Sequence, residues 1–383
     1  MKNFWGNKIL IRTIQIFITA MLLSSPTFAQ WTFGLSTDQE YNSNPFRSPI
    51  TTPSLISSFD FGLENEMNNF SIGYYGSYLN ISAIAERNFY WHQFALWKDF
   101  ENSSLGIYAE QRINRELYSY FDYTNITTYY RQQFNFHEFY FSINPNISYT
   151  KYDNISILDN LKGSFGLNVN HGFESETTLI LGSTINYKKY LSPSQTETIS
   201  YLDESNNLIT ETFSDKNISS ITQLVSYIRV AQSLAEETGI AAQFTNRSIL
   251  NGFATSVKEI NMVYGDEAEI FDDPINYEGN NLSFELTQVL FNDMTLKAGY
   301  YFNKKYYPSQ GIYDELSAYD TGIMRTDTQN IFSLYLSKRF SLDSSDNVGL
   351  SAGLTFRSIN NKSNSYWFNY KSNSINLSLS LGF

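Results

Sequence analysis

The sequence predicts an all-β protein, a transmembrane antiparallel β-barrel of about sixteen strands. Segments in which apolar and small polar residues alternate recur along the chain, as in INLSLSLGF at 375–383. Aromatic residues make up 17% of the chain and charged residues only 17%, whereas about 25% charged residues is typical of soluble domains. The mean hydropathy is −0.32, and no stretch after the N-terminal segment has the roughly 20 apolar residues that a membrane helix needs.

The first 29 residues have the three parts of a secretory signal peptide. An apolar run at 14–23 and the small-residue tail SSPTFA follow a basic start, formed by Lys2, Lys8 and Arg12. We expect cleavage after Ala29, which leaves residues 30–383 as a single barrel domain. A permanent N-terminal anchor helix is the alternative, but the apolar run is too short to span a bilayer. The absence of cysteine excludes a lipid-anchored lipoprotein, disulfides and thiolate metal sites.

The alternating segments are each about 10–13 residues long, as a tilted membrane-crossing strand requires. The clearest of them lie at 55–64, 138–150, 282–287, 294–303, 348–357 and 375–383. Residues 221–231 alternate poorly, so the facing of their side chains stays ambiguous. A soluble β-sandwich or propeller is the alternative fold, but strands in such proteins are about half as long.

The connections alternate between tight polar turns and longer loops. The tight turns are predicted at 64–69, 101–104, 135–138, 174–177, 235–238, 292–293 and 342–347. The clearest long loops are predicted at 191–217, 251–277, 307–328 and 360–370. Seven short turns and eight longer loops predict sixteen strands, with fourteen or eighteen as alternatives, and place both termini at the short-turn end.

The last strand has to pair with the first, at about 31–41, because every backbone amide in lipid needs a partner and a sheet achieves this only by closing. Its alternating apolar residues and terminal aromatic are Leu379, Leu381 and Phe383. This ending resembles the C-terminal assembly signal of Gram-negative outer-membrane β-barrel proteins of the porin-like kind. The resemblance implies secretion to the periplasm, insertion by the barrel-assembly machinery, short periplasmic turns and long extracellular loops. It leaves the subfamily and the oligomeric state open.

Charged residues are predicted among Ser, Thr, Asn and Gly on the inward face of the strands. The predicted channel-lining residues are Asp60, Glu64, Glu110, Arg112, Arg131, Glu285, Lys297, Arg339 and Arg357. A barrel of about sixteen strands is too wide for side chains to fill, so water would enter and the wall charges would act on passing solutes. The alternative is that these charges pair across the wall and only hold its shape.

A near-repeat occurs where two strands enter long loops, as YKKYLSPSQ at 187–195 and NKKYYPSQ at 303–310. Alternation sends one lysine of each pair towards the lumen and the other towards lipid. At the outer rim an outward lysine can meet lipopolysaccharide phosphates, and tyrosines suit the interfacial girdle. The predicted rim residues are Lys188, Lys189, Tyr190, Lys304, Lys305 and Tyr306.

Acidic residues are concentrated in three predicted outer loops. They are Glu197, Asp203, Glu204, Glu211, Asp215, Glu259, Asp266, Glu267, Glu269, Asp272, Asp273, Glu278, Asp314, Glu315, Asp320 and Asp327. The segment GDEAEIFDDP at 265–274 has oxygen ligands that calcium accepts, but it lacks the spacing of a calcium loop, and a solvated surface is the favoured interpretation. The loop at 251–277 is the best candidate for a constriction, and folded inward its acids would favour cations.

The sequence gives little support to catalysis, to a cofactor or to a metal site. A hydrolase usually needs a histidine base, and only His92, His137 and His171 are present. His137 and His171 fall at predicted periplasmic turns. The His-Ser-Asn-Gly signature of outer-membrane phospholipases and glycine-rich nucleotide loops are absent, and a net charge of −12 argues against nucleic acid.

The predicted function is passive diffusion of small hydrophilic solutes through a water-filled outer-membrane barrel. The main rival is a barrel without a channel that acts in docking, adhesion or export of surface polymers or lipoproteins. The last hairpins faintly resemble those of such export barrels, but no helical-repeat domain precedes the barrel. An enzyme is the third hypothesis.

Overall fold

The computed structural model describes residues 31–67, 70–83, 87–192, 196–202, 208–214, 220–252, 273–316, 318–320, 322–342 and 348–383. The strands in chain order are β1 (Trp31–Asn42), β2 (Ser54–Met67), β3 (Phe70–Ile81), β4 (Phe89–Asp99), β5 (Ser103–Asn114), β6 (Tyr123–Phe136), β7 (Phe139–Tyr152), β8 (Asn160–Gly172), β9 (Thr177–Tyr190), β10 (Thr196–Leu202), β11 (Leu208–Ser214), β12 (Ser220–Ala235), β13 (Thr238–Gly252), β14 (Glu278–Val289), β15 (Thr295–Tyr307), β16 (Ile312–Tyr313), β17 (Tyr319–Asp320), β18 (Arg325–Ser341), β19 (Gly349–Ser363) and β20 (Tyr370–Gly382).

Sixteen of these strands form one closed antiparallel barrel, and β10–β11 and β16–β17 are separate hairpins within outer loops. Each barrel strand pairs with its neighbours in the chain order of the barrel strands, and β1 closes the sheet on β20. At the seam the Phe33 N–H donates to the Phe383 carbonyl at 2.7 Å, and the reverse hydrogen bond measures 3.0 Å. The predicted fold class and strand number are confirmed.

The barrel strands are 11 to 17 residues long, somewhat longer than the sequence predicts. Both described termini lie at the end of the barrel where the connections are short. Short 3₁₀ helices lie within the connections, at Glu116–Phe121, Ser156–Leu158, Pro274–Asn276, Phe291–Asp293 and Tyr366–Phe368. The turn predicted at 64–69 is shorter than expected, because β2 continues to Met67 and Glu64 therefore belongs to the wall.

The two faces of the sheet differ as alternation requires. Large apolar side chains are exposed on the outer face, for example Phe59 at 54% and Leu377 at 48%. Their neighbours Asp60 and Ser378 point to the inner face, where Asp60 accepts a hydrogen bond from Ser36. An exterior of this kind is stable only against hydrocarbon, so the barrel spans a membrane. Among the described residues, no helix has the length and apolarity needed to cross one.

Several glycines on the inner face make room for tyrosine rings of the adjacent strand. A Cβ added at Gly182 would lie 2.2 Å from Cε1 of Tyr227, and one added at Gly106 would lie 2.5 Å from Cε1 of Tyr129. The rings therefore occupy the space above these glycines, flat against the wall. This packing fills the notch that a glycine leaves in a strand and keeps the rings out of the barrel axis.

Candidate functional site: the inner wall and outer mouth

Carboxylates on the inner wall are held by neighbouring hydroxyl and amide groups. Asp60 accepts from Ser36 Oγ at 3.3 Å and from Ser58 Oγ at 3.2 Å. Glu64 accepts from the Tyr75 hydroxyl at 2.5 Å. These partners are neutral, so the wall keeps the negative charge of both carboxylates.

Other predicted lining residues take part in charge pairs. Glu285 receives a hydrogen bond from Arg229 Nη2 at 2.7 Å and a second from the Tyr301 hydroxyl at 3.2 Å. Glu110 interacts with Tyr123 and lies near Lys162. Both interpretations of the wall charges therefore apply, since some carboxylates have a cationic partner and others have neutral partners.

The predicted basic residues are spread along the wall and do not form a cluster. Arg112 is buried, stacks 3.9 Å from the Phe89 ring centroid and donates to Asn114 Oδ1 at 3.2 Å. Arg131 and Lys297 are exposed in their strands. The remaining two are Arg339, whose guanidinium lies over Gly349, and Arg357, which lines a small cavity under the loop between β1 and β2. That these side chains line a conducting channel stays a prediction.

The outer mouth is narrowed by loop residues that pack on the inner face of the wall. Ile155 and Leu158 pack with Tyr152 and Tyr190, whose side chains belong to the inner face of β7 and β9. Phe46 packs in the same way on the inward side chains of β2 and β3, which are Ile56 and Ile81. The long loops thus fold into the barrel mouth from several sides.

A buried ion pair fixes the end of the loop between β13 and β14 to β9, which is separated from β13 only by β12 in the barrel. Lys188 Nζ on β9 lies 2.7 Å from Asp273 Oδ2, and the two side chains are 2% and 4% exposed. The amide of Gln223 donates to the carbonyls of Pro274 and Tyr277, both at 2.8 Å. This anchored end supports the prediction that the loop at 251–277 folds inward, although residues 253–272 lie outside the described part of the chain.

A second buried pair joins the loops that follow β15 and β19. Arg325 pairs with Asp327, and its guanidinium stacks 4.0 Å from the Tyr307 centroid and 3.4 Å from that of Phe368. Arg325 Nη1 also donates to Gln310 Oε1 at 3.1 Å. A single cation thereby joins the wall to two outer loops.

Arg87 is buried at the mouth in a different way. Its guanidinium lies between two rings, 4.9 Å from the Phe46 centroid and 4.5 Å from the Tyr118 centroid. All three of its side-chain nitrogens are buried, and none has a hydrogen-bond partner among the described residues. Among the described residues, this charge is stabilised by cation–π attraction to the two rings.

The rim interpretation of the near-repeat is wrong for three of its six residues. Lys188, Tyr190 and Lys305 are only 2%, 1% and 8% exposed, because they belong to the inner face and are covered by the inward-folded loops. Lys189, Lys304 and Tyr306 are exposed on the outer face. The predicted division of each lysine pair between the two faces therefore agrees with the structure, but only one member of each pair reaches the rim.

Two of the predicted surface acids are not on the surface. Asp273 and Asp327 are the buried partners of Lys188 and Arg325. Most of the proposed calcium segment, residues 265–272, lies outside the described residues. Within the described ranges, no group of three metal-ligating side chains is present.

The three histidines lie at two separate places in the barrel. His92 lies on the outer face of β4, where its Nδ1 is 2.8 Å from the Tyr74 hydroxyl. His171 Nδ1 is 3.1 Å from the Glu138 carbonyl at the short-turn end, and His137 lies in the turn beside it. His92 thus faces lipid, whereas His137 and His171 lie at the short-turn end of the barrel.

Some charged residues of the inner wall were not predicted from the alternation of the sequence. Arg229 lies in the poorly alternating segment now seen as β12, and Lys162 lies on β8 between glycine and leucine. Arg247 lines a cavity of about 360 Å³ inside the wall, together with Tyr277 and Lys305. Such positions can be identified from a residue two positions away that faces inward, as Tyr227 does for Arg229.

Comparison with known proteins gives a fold but not a family. No family model matches the chain, and no curated protein matches it. Acinetobacter baumannii OccAB1 is similar in structure with a TM-score of 0.54 at 8% identity, over 92% of this chain and 96% of that one. The outer membrane protein opdK from Pseudomonas aeruginosa (TM-score 0.47, 6% identity, 92% and 99% covered) and a bacterial polysaccharide outer membrane secretin (0.46, 7%, 93% and 98%) also match.

The likeness to OccAB1 covers nearly the whole of both chains, so the barrel is a shared fold and not a shared fragment. The chain therefore has the fold of an outer-membrane, porin-like β-barrel. Together with the apolar exterior, this confirms the predicted fold class, a membrane-spanning β-barrel.

Proposed function

We propose that the protein is a channel for the passive diffusion of small hydrophilic solutes across the outer membrane. The observation that carries the proposal is the closed barrel of sixteen strands with a polar, charged inner face. Sixteen strands enclose more space than the inward side chains of a wall can fill, so water enters. Tyrosine rings that lie flat over Gly182 and Gly106 keep the axis clear of their bulk.

Selectivity would come from the wall charges and from the loops at the mouth. Asp60 and Glu64 have neutral hydrogen-bond partners, whereas Glu285 is paired with Arg229. Unpaired carboxylates attract cations and repel anions at close range. The acids of the loop at 251–277 would add to a preference for cations if the rest of the loop follows Asp273 inward.

We also propose that the protein is not an enzyme and that the barrel-assembly machinery inserts it. The first statement is supported by the position of His92 on the lipid-facing side and of His137 and His171 at the short-turn end. The seam at Phe383 supports the second, because the terminal aromatic is the residue that closes the sheet.

The test is conductance of the purified protein in a planar lipid bilayer, combined with thiol labelling. The chain has no cysteine, so an introduced one has no background. Asp60→Cys is expected to lose conductance when a charged, membrane-impermeant thiol reagent is added. Phe59→Cys, one residue away on the lipid face, is the matched control and should not respond.

Steady ohmic steps and a reduced conductance of only the Asp60→Cys channel would support diffusion through the lumen. An absence of conductance at high protein concentration would contradict the proposal. An equal response of both variants would contradict the assignment of the inner face.

A further inference from the structure

The outer face of β15, β18, β19 and β20 changes from apolar to polar at the same end of each strand. Below the change, the outward residues are apolar and include Phe302, Phe332, Phe356 and Ile375. Above it, on the side of the long loops, the outward residues include Lys304, Thr328, Lys362 and Lys371. The boundary is where the hydrocarbon of the outer leaflet meets its headgroups.

The three lysines lie close together because of the strand register. Lys304 pairs with Thr328, and Thr328 pairs with Lys362, so the two lysines flank one hydroxyl in a single row. Two strand spacings separate their Cα atoms by about 10 Å. Lys371 pairs with Asn360, two residues from Lys362, which makes the two lysines diagonal neighbours about 7–8 Å apart.

No described carboxylate neutralises this cluster. None of the three ammonium groups has a hydrogen bond or an ion pair with a described residue. The nearest outward acid in the register, Glu278, accepts from the Ile249 N–H at 2.9 Å, on the side away from Lys304. Like charges that lie close together on a sheet repel each other, so an anion between the three lysines would relieve this repulsion.

We propose that Lys304, Lys362 and Lys371 form a binding site for the phosphate groups of lipopolysaccharide on the exterior of the barrel. Lys304 and Lys362 flank the Thr328 hydroxyl and Lys371 lies diagonal to Lys362, so the three ammonium groups match an anion that carries several oxygen acceptors. Lipopolysaccharide occupies the leaflet on the long-loop side, and its acyl chains would lie along the apolar residues below the site. This site is independent of the channel and lies on the opposite face of the wall.

The other exterior lysines of the outer end provide a matched control. Lys151 on β7 and Lys189 on β9 are also exposed on the outer face. In the register, Lys189 lies opposite Leu161 and Ser220, and neither adjacent strand has a lysine on its outer face. A bound phosphate there would meet one ammonium group and not three.

The experiment measures lipopolysaccharide that remains bound when the protein is purified from outer membranes in mild detergent. We expect Lys304→Ala/Lys362→Ala/Lys371→Ala to retain about tenfold less lipopolysaccharide per barrel, since each surface charge contributes separately to the attraction of anionic lipid. Lys151→Ala/Lys189→Ala should retain the wild-type amount. The triple Lys→Arg variant keeps the charges and should also retain it.

Several results would overturn the site. One is equal loss from the triple alanine variant and from the control pair. Another is equal retention of phosphatidylglycerol and lipopolysaccharide by the wild type, which would indicate an unspecific anionic surface. Heat-dependent mobility and conductance of the triple variant provide the folding control, and because they are separate measurements, a failure of the channel proposal leaves this test intact.

Discussion

Removal of the Lys188 ammonium group should release the loop end that begins at Asp273. In Lys188→Met the Asp273 carboxylate loses the partner that lies 2.7 Å away while it stays 4% exposed. Breaking a buried pair by removal of one partner costs about 3–5 kcal/mol, which corresponds to a factor of about 10² to 4 × 10³ in an equilibrium constant. The loop end can avoid this cost by opening to water, so the cost should appear as an increased open population.

Hydrogen exchange of the backbone amides of residues 273–277 measures that population directly. We expect exchange in Lys188→Met to accelerate by about a hundredfold or more, whereas the amides of the neighbouring strands stay protected. The hydrogen bonds from Gln223 to Pro274 and Tyr277 remain in this variant. The increase in exchange rate should therefore lie near a hundredfold, the lower end of the expected range.

Two variants make this result interpretable. Lys189→Met removes the adjacent lysine, which is exposed on the outer face, and should leave the exchange rates unchanged. Lys188→Met/Asp273→Asn removes both charges and should bring the rates back to within about tenfold of the wild type, because the uncompensated charge is gone. Wild-type exchange in Lys188→Met would refute the argument that this ion pair holds the loop end.

Three further substitutions test the wall, the seam and the mouth. Gly182→Ala should lower the stability of the barrel by about 1–3 kcal/mol because the added Cβ would displace the Tyr227 ring. Gly163→Ala is the control, since no atom lies within 4 Å of a Cβ added there. The midpoint of heat-dependent mobility on a gel measures the stability of both variants. Phe383→Ala removes the ring whose centroid lies 5.4 Å from that of Phe33, and it should lower the stability of the barrel in detergent by about 0.5–1.5 kcal/mol. A much larger loss of folded protein in cells than after refolding in detergent would assign Phe383 a role in assembly. Arg87→Met should keep or raise the stability of the barrel, since it removes a buried charge whose nitrogens have no hydrogen-bond partner among the described residues. A large decrease in stability would contradict this description of the Arg87 site.

The barrel itself could be predicted because a period of two in the sequence and closure of the sheet leave few alternatives. Alternation around Asp60 and Ser378 identifies both faces, and the number of turns gives the number of strands. The weakly alternating β12 shows the limit of this argument, since its inward Arg229 was not predicted. Facing follows from local sequence only where one face is consistently apolar.

The outer mouth could not be predicted to the same degree. Asp273 and Asp327 resemble surface acids by composition, but they are buried against Lys188 and Arg325. Lys188 and Asp273 are 85 residues apart in the chain, and only the folded loops bring them together. The residue type of Tyr190 suits the girdle, but Tyr190 follows Lys188 by two residues and therefore shares its inner face.

The seam between β1 and β20 makes the integrity of the barrel depend on the last of its strands to be synthesised. Asn376 donates to Asp38 across 338 positions of the chain, so both edges of the sheet stay open until β20 has been synthesised. Closing so long a chain segment costs about 5 kcal/mol in entropy beyond a constant term, which is small compared with a row of unpaired amides in lipid. A chain cut short before β20 would therefore present two adhesive edges to its neighbours and aggregate, and it could not persist as a smaller pore.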